Sequence, residues 1–132
     1  MKEFLRKVVQ GHGISPSAAC RKSFAANFAG AADVEWFMAG EHYEAIFYRN
    51  KLEHIALFGQ DGLLMEYRKK LPVDFLPNPV RHLALSRGEI MNALMKNKGN
   101  MLEYELIVRK APCERYLLLI SDLGNMKEER ML

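Results

Sequence analysis

The stretch YEAIFYR at 43–49 returns as YELIVRK at 104–110, 61 positions later. Alternation of polar and apolar side chains over such a stretch reads as a β-strand. A strand written twice in a chain of 132 residues asks for two copies of the unit that contains it. The same offset lays Tyr43 on Tyr104, Glu44 on Glu105 and Ile46 on Ile107. Further on it lays Glu53 on Glu114, Leu57 on Leu118 and Asp61 on Asp122. One extra residue in the second hairpin then carries Gly62 onto Gly124. These identities, in elements of matching type, predict an internal duplication.

Each copy opens on a helix. In the first, Ser15 is placed to cap and Pro16 suits the first helical position. Ala18, Cys20, Phe24 and Phe28 then form an apolar stripe that Gly30 ends. In the second, Asn78 caps, Pro79 opens, Val80, Leu83 and Ala84 line a face, and Gly88 terminates. The period then changes to two. Val34, Trp36 and Met38 share a strand face, and HYEAIFYR and LEHIALFG pair through a tight connection at Asn50-Lys51. LLMEYRKKL completes the first set. EIMNALMK, MLEYELIVRK, CERYLLLIS and NMKEERML make the second. Ahead of both copies, Phe4, Leu5, Val8 and Val9 are spaced as in a short amphipathic helix or arm. The expected organisation is one domain with an arm at 1–13, a first α-β4 unit at 14–71 and a second at 72–132.

The succession Phe24, Phe28, Ala31, Val34-Glu35-Trp36, Tyr43-Glu44-Ala45, Phe47 and Asp61-Gly62 resembles the PepSY-like family, small proteins common in Bacteroidetes. That family is described as similar in fold to the β-lactamase inhibitor protein. The resemblance covers about residues 15–132, and is stronger in the first unit. It implies an α+β fold in which two tandem α-β4 units form one curved antiparallel sheet, with the helices packed on one face. The shared residues are core and turn positions, so the resemblance brings no catalytic residues with it. A role as a peptidase or hydrolase inhibitor follows only by fold analogy.

Composition narrows the class. The chain is 49% apolar and 27% charged, with 19 basic and 16 acidic residues giving a net charge of +3. That balance calls for no polyanionic partner, and no aromatic-basic stripe points to nucleic acid. No run approaches the 18 apolar residues or so of a membrane span. Glu3, Arg6 and Lys7 interrupt every apolar run at the N-terminus, so no signal-peptide core is read there. The expectation is a cytoplasmic protein as written, periplasmic or secreted if a leader has been removed. Cys20 and Cys113 lie in unlike contexts and read as reduced, mostly buried thiols.

Sites for chemistry are sparse. His42 and Glu44 share a strand face, but the hairpin register places His54 on the other side, so no metal centre forms. Glu44 and Glu105 lack a companion acid, base or oxyanion donor. No phosphate loop, nucleophile elbow or cofactor motif is present, and no cofactor is expected. The chain reads as a non-enzyme.

The faces of the sheet are more informative. Pairing across Asn50-Lys51 puts Phe47 opposite His54, Ala45 opposite Ala56 and Tyr43 opposite Phe58, beneath the helices. Ile46, Tyr48, Ile55 and Leu57 then point the other way, and the repeat assigns Ile107, Tyr116 and Leu118 to the equivalent surface. An outer sheet face is ordinarily polar. An apolar one predicts a cover, whether the N-terminal arm, a second copy in a homodimer, or another protein. The expected function is therefore an interaction protein that uses this face. A carrier that holds a small apolar ligand on the concave sheet is the alternative.

Overall fold

The computed structural model describes residues 14–132. Its strands are β1 (Ala32–Ala39), β2 (His42–Arg49), β3 (Leu52–Phe58), β4 (Leu64–Lys70), β5 (Glu89–Lys98), β6 (Met101–Ala111), β7 (Glu114–Ser121) and β8 (Met126–Met131). They lie in chain order in one eight-stranded antiparallel sheet. Two helices of ten residues, α1 (Ala18–Asn27) and α2 (Asn78–Arg87), accompany it, with a 3-10 turn at Val73–Phe75. Strand accounts for 55% of the structure and helix for 19%. The expected α+β class is thereby corrected to a sheet-dominated fold that carries two short helices among the described residues. The physical reason lies in the connections. Most consecutive strands meet through tight hairpins, which leave no chain for further helices.

Contacts gather into two compact units, one ending at Tyr67 and the other running from Arg68 to Leu132. The predicted N-terminal arm falls outside the described residues.

In the first unit the helix starts two residues later than its sequence signals suggested. Ser17, not Ser15, is the cap, its Oγ accepting from the Cys20 amide at 3.2 Å. The same hydroxyl donates to the Gln60 carbonyl at 3.2 Å, and Cys20 Sγ donates to the Gly59 carbonyl at 3.1 Å. The first turn of α1 is thus tied to the β3–β4 hairpin. Gly62 at that hairpin has φ +90°, and a Cβ there would sit 2.7 Å from the Ala19 carbonyl oxygen. Beneath α1 lies an aromatic core. Phe24 meets Phe47 edge-on at 4.9 Å, Phe28 lies 5.0 Å from Phe47, and Trp36 lies 5.7 Å from Phe58. His54 is buried in that layer, stacked on Phe47 at 5.2 Å.

The β2–β3 register is the predicted one: Tyr43 opposite Phe58, Ala45 opposite Ala56, Phe47 opposite His54. Asn50 and Lys51 both have positive φ, 54° and 66°, the twist-matched conformation of a two-residue hairpin.

The second unit repeats the plan with different filling. Its helix opens at Asn78 without a side-chain cap bond; the Asn78 Oδ1 instead accepts from Arg81 Nη2 at 2.7 Å. Val80 and Ala84 of α2 pack on Leu76, Leu106, Val108, Leu118 and Ile120, an aliphatic core where the first unit is aromatic. Gly124 stands as Gly62 does, at φ +89°, where a Cβ would fall 2.7 Å from the Cβ of Pro79 in the first turn of α2.

An irregularity separates the copies between their second and third strands. β6 and β7 shift register between Arg109 and Ala111, a β-bulge that inserts one residue before the turn at Pro112-Cys113. Below it, Leu106 faces Leu118, Ile107 faces Leu117 and Val108 faces Tyr116. The matching pairs in the first unit are Ala45–Ala56, Ile46–Ile55 and Phe47–His54. The offset is therefore 61 from β2 to β6 and 62 from β3 to β7. The extra residue sits in the bulge, not in the second hairpin, and a one-residue slip reverses every side chain after it.

Candidate interaction face

Of the residues assigned to the outer face, Ile46, Tyr48, Ile55 and Leu57 do point away from α1, paired as Ile46–Ile55, Glu44–Leu57 and Tyr48–Glu53. Ile107 points away from α2. Tyr116 and Leu118 do not: Leu118 has no exposed surface and lies in the core beneath α2, with Tyr116 packed at its edge. Their placement is corrected, and the bulge is the cause. The true counterparts of Ile55 and Leu57 are Leu117 and Leu119, which face Ile107 and Glu105. Sequence reasoning missed both. An offset of 62 after β6 would have found them, and Gly62–Gly124 already carried that signal.

On the second unit the outer face has a definite pattern. Leu94, Ile107, Leu117 and Leu119 are half-buried and form its middle, Leu94 lying opposite Glu105 across β5–β6. One end is closed by Glu103, 6% exposed, whose carboxylate is paired with Lys127 at 2.5 Å and Lys96 at 3.8 Å. At the other end Arg109 pairs with Glu89 at 2.6 Å. Arg130 and Glu128 flank the strip on β8, opposite Leu117 and Leu119. The arrangement is a centre of four aliphatic side chains, interrupted by Glu105 between Leu94 and Leu119 and by Asn92 beside Ile107, within a charged, largely self-neutralised rim.

The first unit differs. Phe37 and Ile46 on its outer face are each 1% exposed, while Tyr48 at the edge is 38% exposed. Ile46 and Ile107 occupy equivalent strand positions, yet the first is closed and the second partly open.

The polar residues weighed for chemistry are placed as follows. His54 Nδ1 lies 2.6 Å from the Tyr67 hydroxyl and Nε2 3.2 Å from the Arg49 carbonyl. A phenol donating to Nδ1 and an Nε2–H donating to the carbonyl satisfy both ring nitrogens of a neutral imidazole. Burial raises the Tyr67 hydroxyl above its ordinary value of 10.0, against the nearby Arg49 charge, which keeps the phenol a donor. This is a structural network, and Glu44 faces the opposite side of the sheet from it. Glu105 lies on the outer face of its own unit. Among the described residues no group of three His, Cys, Asp or Glu side chains is placed to hold a metal ion. Two open depressions in the second unit, of about 550 and 520 Å³, are lined largely by polar and charged residues such as Glu89, Arg109, Lys110, Asp122 and Lys127. Neither offers the apolar enclosure that a lipophilic cargo requires. Among the described residues no helix is long and apolar enough to cross a membrane.

No protein-family model matches the chain, and no curated protein matches it either. Solved structures do. A DUF2874 family protein from Bacteroides ovatus superposes with a TM-score of 0.81 at 19% identity, over 90% of this chain and 89% of that one. A Bacteroides eggerthii protein, provisionally described as periplasmic, gives 0.81 at 16% identity over 89% and 90%. A BLIP-like protein from Bacteroides fragilis gives 0.78 at 17% over 90% and 88%. At such identities the likeness carries the fold alone. The chain thus has the sheet-rich, BLIP-like fold of these Bacteroides proteins, a coarser placement than the PepSY-like family its motifs resemble.

Proposed function

We propose that the protein is a non-catalytic interaction module that associates through the outer face of its second unit, with Leu94, Ile107, Leu117 and Leu119 as the contact centre. The observation that carries this reading is the apolar strip on the side of the sheet away from α2. Full burial of an aliphatic side chain of this kind contributes about 1.5–3 kcal/mol. Four half-buried ones support a weak association, not a permanent one. The charged ends, Glu103 with its lysines and Arg109 with Glu89, fix orientation more than affinity. A second copy of the chain is the first partner to test. Sedimentation velocity over a hundredfold concentration range is expected to show reversible dimerisation that Ile107→Lys and Leu117→Lys each weaken at least tenfold. A monomer throughout, in all three proteins, removes the self-association form of the proposal.

The B. eggerthii protein's description favours a periplasmic site for this chain as well. Fractionation of the native host, with the protein found wholly in the cytoplasmic fraction, would overturn that assignment.

A further inference from the structure

Three rows of side chains cross the outer face of the second unit. Leu94, Glu105, Leu119 and Glu128 form one, and Asn92, Ile107, Leu117 and Arg130 the next. Glu89, Arg109 and Arg115 form the third. Two charges in these rows have no ionic partner among the described residues. Glu105 is half-buried between Leu94 and Leu119. Arg115 is exposed and stands directly opposite Arg109, a like-charge pairing that costs stability. Arg109 itself has Glu89 at 2.6 Å. Within one chain the two lone charges stay apart, because Ile107 and Leu117 lie between them and their rows are about 13 Å apart along the strands. A carboxylate among leucines is costly to bury further unless a cation meets it. Whatever covers this strip must therefore bring a cation to Glu105, and the third row of a second copy carries one at the right spacing.

A two-fold axis lying in the face, across the strands and through Ile107 and Leu117, sets the first row of one copy against the third row of the other. Glu105 of each copy then falls at Arg109 and Arg115 of the other, while Ile107 and Leu117 pack on their own equivalents. An axis along the strands instead sets Arg109 against Arg115 and leaves Glu105 on Leu119, so charge selects between the two. Arg130, at the end of the middle row, keeps Glu128 as its counter-ion at 3.1 Å. We propose that two copies of the chain stack face to face about the first axis, their strands antiparallel, with Glu105 of each inserted between Arg109 and Arg115 of the other. This stacking presupposes the self-association proposed above and adds its geometry and the charges that select the partner.

The test is sedimentation velocity on the full chain and two charge variants, with circular dichroism as the check on folding. Glu105→Arg and Arg115→Glu are each expected to weaken self-association at least tenfold, by setting like charges against each other. Mixed in equal amounts, the two variants are expected to regain most of the wild-type association. One end of the mixed pair is then wild type, and the other has its charges exchanged. Wild-type affinity in both single variants overturns this geometry, and so does a mixture no tighter than its components. If Ile107→Lys still weakens the dimer in either case, the apolar strip stands as the contact without the charge pairing. A wild-type protein that stays monomeric overturns both the stacking and the self-association it presupposes. Should Glu105→Arg not fold, Glu105→Gln, which keeps the size of the side chain, decides the matter. Association weakened several-fold supports the pairing, and unchanged association overturns it.

Discussion

A few residues show why the repeat was kept where it was. Gly62 and Gly124 each turn a hairpin at positive φ against the first turn of a helix, with room for no side chain. Hydrogen bonds repeat the match: Gly62 N–H to the Gly59 carbonyl at 3.0 Å, Gly124 N–H to the Ser121 carbonyl at 2.9 Å. Ala in place of Gly62 adds strain at φ and a clash with the backbone of Ala19, and a loss of about 1–3 kcal/mol is expected in urea unfolding. The tyrosines set a limit at alkaline pH. Burial raises Tyr67; burial first and the Asp122 charge second raise Tyr104; a hydrogen bond to Glu114 leads for Tyr116. In each case the folded state holds its proton to higher pH than the unfolded chain. Stability is therefore full below the ordinary value of 10.0 and falls as pH rises through the folded-state values. Unfolding midpoints measured from pH 8 to about 11.5 are expected to fall only in the upper part of that range. Tyr67→Phe/Tyr104→Phe is expected to flatten the decline.

At the scale of elements, the bulge in β6 decides what each strand of the second unit presents. Leu117 and Leu118 are adjacent in sequence and opposite in environment. Lysine at Leu118 places a charge in an aliphatic core and is expected to cost more than about 4 kcal/mol, unfolding the second unit. Lysine at Leu117 has water within reach, and a change within about 1 kcal/mol is expected. Thermal unfolding of the two variants separates these outcomes. Equal destabilisation would show that the register after Arg109 is wrong. The strands, the Asn50-Lys51 hairpin and the inner face of the first unit were all legible in the sequence, because alternation and turn chemistry act locally. The bulge was not legible. Lys110 carries no glycine or proline to mark it, and it announces itself only through the pairing of two strands. The helix starts were blurred for a related reason: Ser15 and Ser17 both precede an apolar run, and the β3–β4 hairpin that selects Ser17 lies more than forty residues away.

For the whole molecule, the sequence showed two copies of one unit and an apolar outer face, but understated the sheet. Two ten-residue helices look like equal partners of the strands when met in order, and become minor once eight strands share one sheet. The fold is that of BLIP-like and DUF2874 proteins from Bacteroides, and function has to be argued from the surface. There the two copies part: Ile46 is closed and Ile107 is partly open. The claim that the open copy is the contact surface is tested most directly by methyl NMR of the wild-type protein over a concentration series. The methyls of Ile107, Leu117 and Leu119 are predicted to shift with concentration, while those of Leu106 and Leu118, on the other side of the same strands, stay fixed. Shifts confined to Leu106 and Leu118, or none anywhere up to millimolar protein in the range of weak complexes, would contradict it.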